Sequence, residues 1–164
     1  MNSRDEIISR LKSLGIKYEL VNHEAAFTMD EYNALGFNPN DEICKNLFLR
    51  DSAGKRHFLV TLPNDKVAPL KAQQQILGTS RLSFASQKRL AKYLNLVQGE
   101  VTPLGILNDD NREVELVFDA ALEGNPGLGV HPNDNTATVW ISFADLYRVV
   151  EVHGNRIHIV VLGD

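Results

Sequence analysis

Ile43-Cys44-Lys45-Asn46-Leu47-Phe48-Leu49-Arg50, followed by the turn Asp51-Ser52-Ala53-Gly54 and then by Arg56-His57-Phe58-Leu59-Val60-Thr61-Leu62, decides the fold. Both runs are rich in strand formers. They flank a polar turn with glycine at its end, which is the composition of an antiparallel hairpin. Their apolar character places both strands, residues 43–50 and 56–62, at the centre of a sheet.

Working outward toward the N-terminus, Ser3-Arg4-Asp5-Glu6 is a capping box, and Ile7, Ile8, Leu11 and Leu14 follow at helical spacing until Gly15. A short strand over residues 17–21 comes next. Thr28-Met29-Asp30-Glu31 repeats the capping-box signature before a brief helix that stops at Gly36. Toward the C-terminus, Asp65 caps a helix that runs through Leu70 to Leu77 with Pro69 in its first turn, and Ser86 caps another over residues 87–94. Strands are expected at 114–119, 136–141 and 156–162. Ser142-Phe143-Ala144-Asp145-Leu146 is expected as a capped helical turn before a strand at 149–152. Helices and strands are interspersed without regular βαβ alternation. The class is α/β or α+β: a compact single domain over residues 1–164, with a curved, mixed, largely antiparallel sheet flanked by helices.

With 164 residues and 43% hydrophobic composition, the chain can bury one sizeable core. No stretch approaches the roughly 20 apolar residues of a membrane-spanning helix, so a soluble, unprocessed, cytoplasmic protein is expected. Cys44 is the only cysteine, which excludes an internal disulfide. The net charge of −4 conceals a segregation: residues 43–97 carry ten basic and two acidic side chains, whereas the flanking segments are acidic. A basic strip on an acidic protein suits either a phosphate backbone or an ordinary solvated face.

The phosphate-cradling GxxxxGK[ST], the GxGxxG that follows a strand, HExxH and GxSxG are all missing. The five histidines are scattered, so no metal site is expected. Cys44 sits in an apolar strand and reads as a small buried hydrophobe rather than a nucleophile. Lys45 shares a face with Ile43 and Leu47, and a charge there must snorkel or meet a partner. Asn46 projects to the opposite face if the strand is regular. Gly99-Glu100-Val101-Thr102-Pro103-Leu104-Gly105 and Gly127-Leu128-Gly129-Val130-His131-Pro132-Asn133-Asp134-Asn135 read either as stiff turns or as backbone that approaches a ligand closely.

At these residues the chain resembles the YbaK/ProX family of aminoacyl-tRNA deacylases, on its free-standing prolyl-tRNA editing branch. The match is carried by Cys44-Lys45-Asn46-Leu47-Phe48-Leu49, by the GxxxP loop from Gly99 to Pro103, and by Gly129-Val130-His131-Pro132 with Asn133 and Asn135. The resemblance implies the YbaK-type domain associated with aminoacyl-tRNA synthetases, and hydrolysis of the ester joining a wrong amino acid, alanine first, to the proline tRNA. It implies Lys45 as a charge that orients the substrate and His131 as a proton carrier or water-positioning group. Asn46, Gly99, Thr102, Pro103, Gly129 and Val130 would line the substrate. Arg50, Lys71, Arg81, Lys88 and Arg89 would grip the tRNA acceptor end, with prolyl-tRNA synthetase as a further partner. No cofactor, metal or membrane is implied. Cysteine or serine as the removed amino acid, and a binding module without hydrolysis, are the alternatives.

Overall fold

The computed structural model describes residues 4–22, 42–134 and 136–162. The expected hairpin is there as β2 (Glu42–Arg50) and β3 (His57–Pro63), paired in unbroken antiparallel register from Cys44 opposite Pro63 to Arg50 opposite His57. Asp51 closes the turn: its Oδ1 accepts the main-chain N–H of Lys55 and Arg56, and Gly54 takes the positive φ of 69° that the turn requires.

Around this pair the other strands are β1 (Glu19–Asn22), β4 (Ser83–Phe84), β5 (Val114–Asp119), β6 (Leu128–Val130), β7 (Ala137–Ile141) and β8 (Ile157–Val160). Among the described residues they form one sheet in the order β1-β7-β6-β2-β3-β5-β8, with β4 attached to β2. The sheet is mixed: β3 with β5, β5 with β8 and β2 with β6 are parallel, and the remaining four pairings are antiparallel. β3 and β5 are buried along their whole length, as strands covered on both faces must be.

The two faces carry separate cores. On one, Cys44, Phe48, Leu59, Leu116 and Phe118 pack against helices α1 (Arg4–Ser13), α3 (Gln87–Leu94) and α4 (Phe143–His153) and against a 3-10 turn over Pro103–Asn108. On the other, Leu49, Phe58, Val60, Leu62 and Val117 pack against Leu70 and Leu77 of α2 (Leu70–Leu77) and against Leu82.

Several expectations need correction. α2 starts at Leu70 with Pro69 as its extended N-cap (ψ 139°), and Asp65 takes no part. Proline disfavours helical backbone at the preceding residue, so the helix cannot reach back past it. Residues 143–153 are one helix, capped by Ser142, and no strand exists at 149–152. There the β-preference of Val149 and Val150 yields to burial, since Phe143, Leu146, Val149 and Val150 recur at helical spacing on the buried side. The helix expected after Thr28 and the Ser3 cap lie outside the described residues. Ser86 does cap α3, accepting the main-chain N–H of Arg89.

α3 is pinned to the hairpin through His57, which is buried and whose ring centroid lies 4.0 Å from that of Tyr93, tilted by 34°. Arg89 places Nη1 3.0 Å from His57 Nε2 and donates to the Gly54 carbonyl at 3.2 Å. A guanidinium only donates, so Nε2 accepts and the imidazole is neutral. Burial, then the Arg89 charge, brings its pKa from 6.5 down to about 4. The unfolded chain therefore binds this proton first as pH falls, and stability declines from about pH 6.5 downward until the folded ring also titrates. Over that window wild type should lose about 3 kcal/mol more than His57→Gln. Urea unfolding at pH values from 7.5 to 4.5 measures both slopes.

Candidate active site

β2 is paired with β3 along its length, but its other edge is not filled. β6 reaches only Glu42 and Ile43, and β4 only Leu49 and Arg50. Between them, among the described residues, no strand pairs with Cys44–Phe48. Main-chain groups alternate sides along a strand. The Ile43 carbonyl accepts from Asn64 on the β3 side, whereas the Phe48 carbonyl accepts from Ala85 on the β4 side. Asn46, two residues from Phe48, thus points its N–H and C=O into the gap.

The glycine and histidine turn forms one wall of this gap. β6 runs parallel to β2 with Ile43 opposite Gly129, and His131 follows two residues beyond that last pair. The Thr102 hydroxyl donates to the His131 carbonyl at 2.6 Å and also caps the 3-10 turn by accepting from Leu104 N–H. One buried hydroxyl thereby ties the Gly99–Pro103 loop to the His131 turn. His131 Nδ1 lies 3.2 Å from the Ala137 carbonyl. Because a carbonyl only accepts, that contact places the proton on Nδ1 and makes Nε2 the basic nitrogen. Asp134 braces the same turn by accepting both the N–H and the hydroxyl of Thr136. Burial works to raise its pKa, but those two bonds hold it below the usual carboxylate range.

Lys45 and Asn46 lie on opposite faces of a strand that stays regular. Asn46 Oδ1 accepts the Thr61 hydroxyl at 2.7 Å. Lys45 Nζ donates to the Lys66 carbonyl at 2.5 Å, and Lys66 Nζ in turn sits 2.6 Å from Asp119 Oδ2. Asp119 is fully buried at the end of β5, and its Oδ1 accepts the N–H of Ala121. Sequence reading missed both Lys66 and Asp119. Asp119 ends an apolar run in the sequence and looks like a strand boundary, and nothing local signals its partner across β3.

Other residues read as substrate-lining have packing reasons. Gly129 lies under Trp140, and a methyl in place of its hydrogen would stand 2.6 Å from that ring. Val130 and Pro103 are buried, Val130 within the first core. The basic strip divides as well. Arg89 is spent on His57 and Gly54, Arg50 on the carbonyls of Asp51 and Ser52, and Arg56 on a bidentate pair with Glu115. Lys71, Arg81 and Lys88 are exposed. No group of three or more His, Cys, Asp or Glu able to hold a metal ion exists among the described residues. No described helix is long and apolar enough to cross a membrane.

Known proteins resemble this chain in sequence and in fold. Residues 23–149 match the model of the aminoacyl-tRNA editing domain. The chain is 43% identical over 162 residues to the prolyl-tRNA editing protein ProX of Acetoanaerobium sticklandii, covering 99% of each. It is 35% identical to the prolyl-tRNA synthetase associated domain-containing protein 1 of Danio rerio, over 90% of this chain and 81% of that one. A solved structure described as a candidate trans-editing enzyme for prolyl tRNA synthetase superposes with a TM-score of 0.75 at 17% identity, over 100% of this chain and 99% of that one, which shows the shared fold.

The Lys66–Asp119 pair makes a prediction about stability. Lys66→Met strands a buried carboxylate and should cost about 3–5 kcal/mol, while adding Asp119→Leu should recover much of the loss. Urea denaturation of the two variants beside wild type measures this.

Proposed function

The chain belongs to the aminoacyl-tRNA editing domain family, and from that premise we propose that it is a deacylase acting as a single editing domain on mischarged proline tRNA, with alanine as the amino acid removed. The observation that carries this reading is the Thr102 to His131 hydrogen bond, which ties the GxxxP loop to the Gly-Val-His-Pro turn, where β6 parts from β2 just before Lys45 and Asn46. The similarity to a protein named for prolyl-tRNA editing supports the choice of tRNA.

An aminoacyl ester is already activated, so positioning water and stabilising the developing oxyanion supply most of the acceleration. Water attacks the ester carbonyl carbon. The tetrahedral oxyanion collapses, the bond to the terminal ribose oxygen breaks, and that oxygen takes up a proton. Free amino acid and intact tRNA leave. In the proposed arrangement the Asn46 N–H, held at fixed height by the β2–β3 ladder, donates to the oxyanion. Lys45 orients the polar end of the substrate, and His131 Nε2 receives the proton of the attacking water or positions it.

Selectivity follows from size. A synthetase pocket built for proline rejects a smaller side chain weakly, since a missing methylene is worth only about 1–3 kcal/mol, and a second, smaller site must exclude proline. The protein would act in the cytoplasm on tRNA leaving prolyl-tRNA synthetase. The test is hydrolysis of alanyl-, cysteinyl-, seryl- and prolyl-forms of proline tRNA. Rapid loss of alanine is expected, prolyl ester should survive, and Lys45→Ala should slow the reaction about 100-fold or more. Thr102→Val, which keeps shape and loses the hydroxyl, should lower kcat about tenfold. Preference for cysteine or serine would move the protein to a sibling specificity, and binding of all four without hydrolysis would make it a carrier.

A further inference from the structure

The other wall of the β2 gap is β4, a strand of only two residues, Ser83 and Phe84. Phe84 is 62% exposed although it sits in register opposite Leu49, which is fully buried. Residues directly opposite across a ladder point to one face, and side chains two apart along a strand share a face. Phe84 therefore stands on the Lys45 face of the sheet. Leu49 lies four positions along β2 from Lys45, about 13 Å at roughly 3.3 Å per residue. That is the span of about four stacked nucleotides at roughly 3.4 Å each, and of fewer when the strand is extended.

Along the chain, the charge on either side of Phe84 has one sign. Residues 66–99 contain six basic side chains and no acidic one. Arg81, three residues before Phe84, and Lys88, four after it, are both exposed. Arg89, in the same stretch, is already engaged with His57 and Gly54. An exposed aromatic ring in a stretch of chain that carries cations and no carboxylate is what an unpaired nucleotide strand recognises: bases stack on the ring and phosphates meet the cations.

We propose that Phe84 is a stacking platform for an unpaired nucleobase just upstream of the esterified adenosine, with Arg81 on an adjoining phosphate. This rests on the reading of the chain as a tRNA deacylase and extends it: the strand would lie along the β2 edge, its ester at Lys45 and an upstream base at Phe84. Because the ring is exposed, its removal leaves the cores intact.

The test compares two substrates, alanylated proline tRNA and the alanyl ester of adenosine alone. Phe84→Ala should raise KM on the tRNA about tenfold with kcat held, and Phe84→Trp should restore it. The adenosine ester, which has no upstream base, should react equally with all three proteins. Equal loss on both substrates, or loss on neither, overturns the proposal. So does loss seen only when prolyl-tRNA synthetase is present, which would make the surface a protein contact. If wild type hydrolyses neither substrate, the deacylase reading fails, and the platform is still tested by Phe84→Trp fluorescence. Quenching by tRNA that vanishes when the last three nucleotides are removed supports it; equal quenching by both overturns it.

Discussion

β2 is the constraint on which the molecule depends. It is a nine-residue strand satisfied along one edge by β3 and, among the described residues, only at its two ends on the other, by β6 and β4. Sheets normally fill or cover such an edge, because unpaired main-chain groups invite adventitious pairing. Here the two partial partners run in opposite senses, β6 parallel and β4 antiparallel, so they cannot be one continuous strand. The gap is a product of topology, and the sequence motifs gather on it: Lys45 and Asn46 on the strand itself, His131 beyond β6, Phe84 on β4.

Buried charge does structural work around this gap. Asp119 and Lys66 lie at the C-terminal ends of β5 and just past β3, neighbouring parallel strands, and their pairing fixes the carbonyl on which Lys45 rests. Glu115 does the same at the other end of β5, where burial works to raise its pKa but a bidentate Arg56 and His158 hold it below the usual carboxylate range. Such pairs add little net stability relative to apolar residues, yet losing one partner is costly. They hold geometry. The basic strip seen in the sequence is consequently two populations: Lys45, Arg50, Arg56, Lys66 and Arg89, engaged within the fold, and an exposed set of Lys55, Lys71, Arg81, Lys88 and Lys92 that can meet phosphate.

The fold was legible wherever one local rule acted alone. The hairpin, the Ser86-capped helix and the strand at 114–119 all stand where alternation and capping place them. Reading failed where burial overrode propensity, as in the valine-rich half of α4, or where proline decided a boundary, as at α2. β6 and β4 escaped notice because three residues with a glycine, and two alone, carry no periodicity. Of the site, the motif residues were visible, but their reasons were mixed. Gly129 is explained by Trp140 above it, Val130 by core packing and Arg89 by His57, all partners distant in sequence. Thr102 gains its meaning only from a carbonyl 29 residues away.

A site set on a strand edge draws its precision from register rather than from rotamers. The residues of β2 alternate between two apolar cores, Cys44 and Phe48 into one and Leu49 into the other. A slip of one residue against β3 would exchange every side chain between faces. It would drive Lys45 into the core now lined by Cys44 and Phe48, and would turn the Asn46 main chain from the gap toward β3. The apolar pattern that stabilises the sheet therefore excludes the displaced site by the same energy, and the side-chain bonds of Thr102, Asp134 and Lys66 have only to hold what lies beside β2 in place.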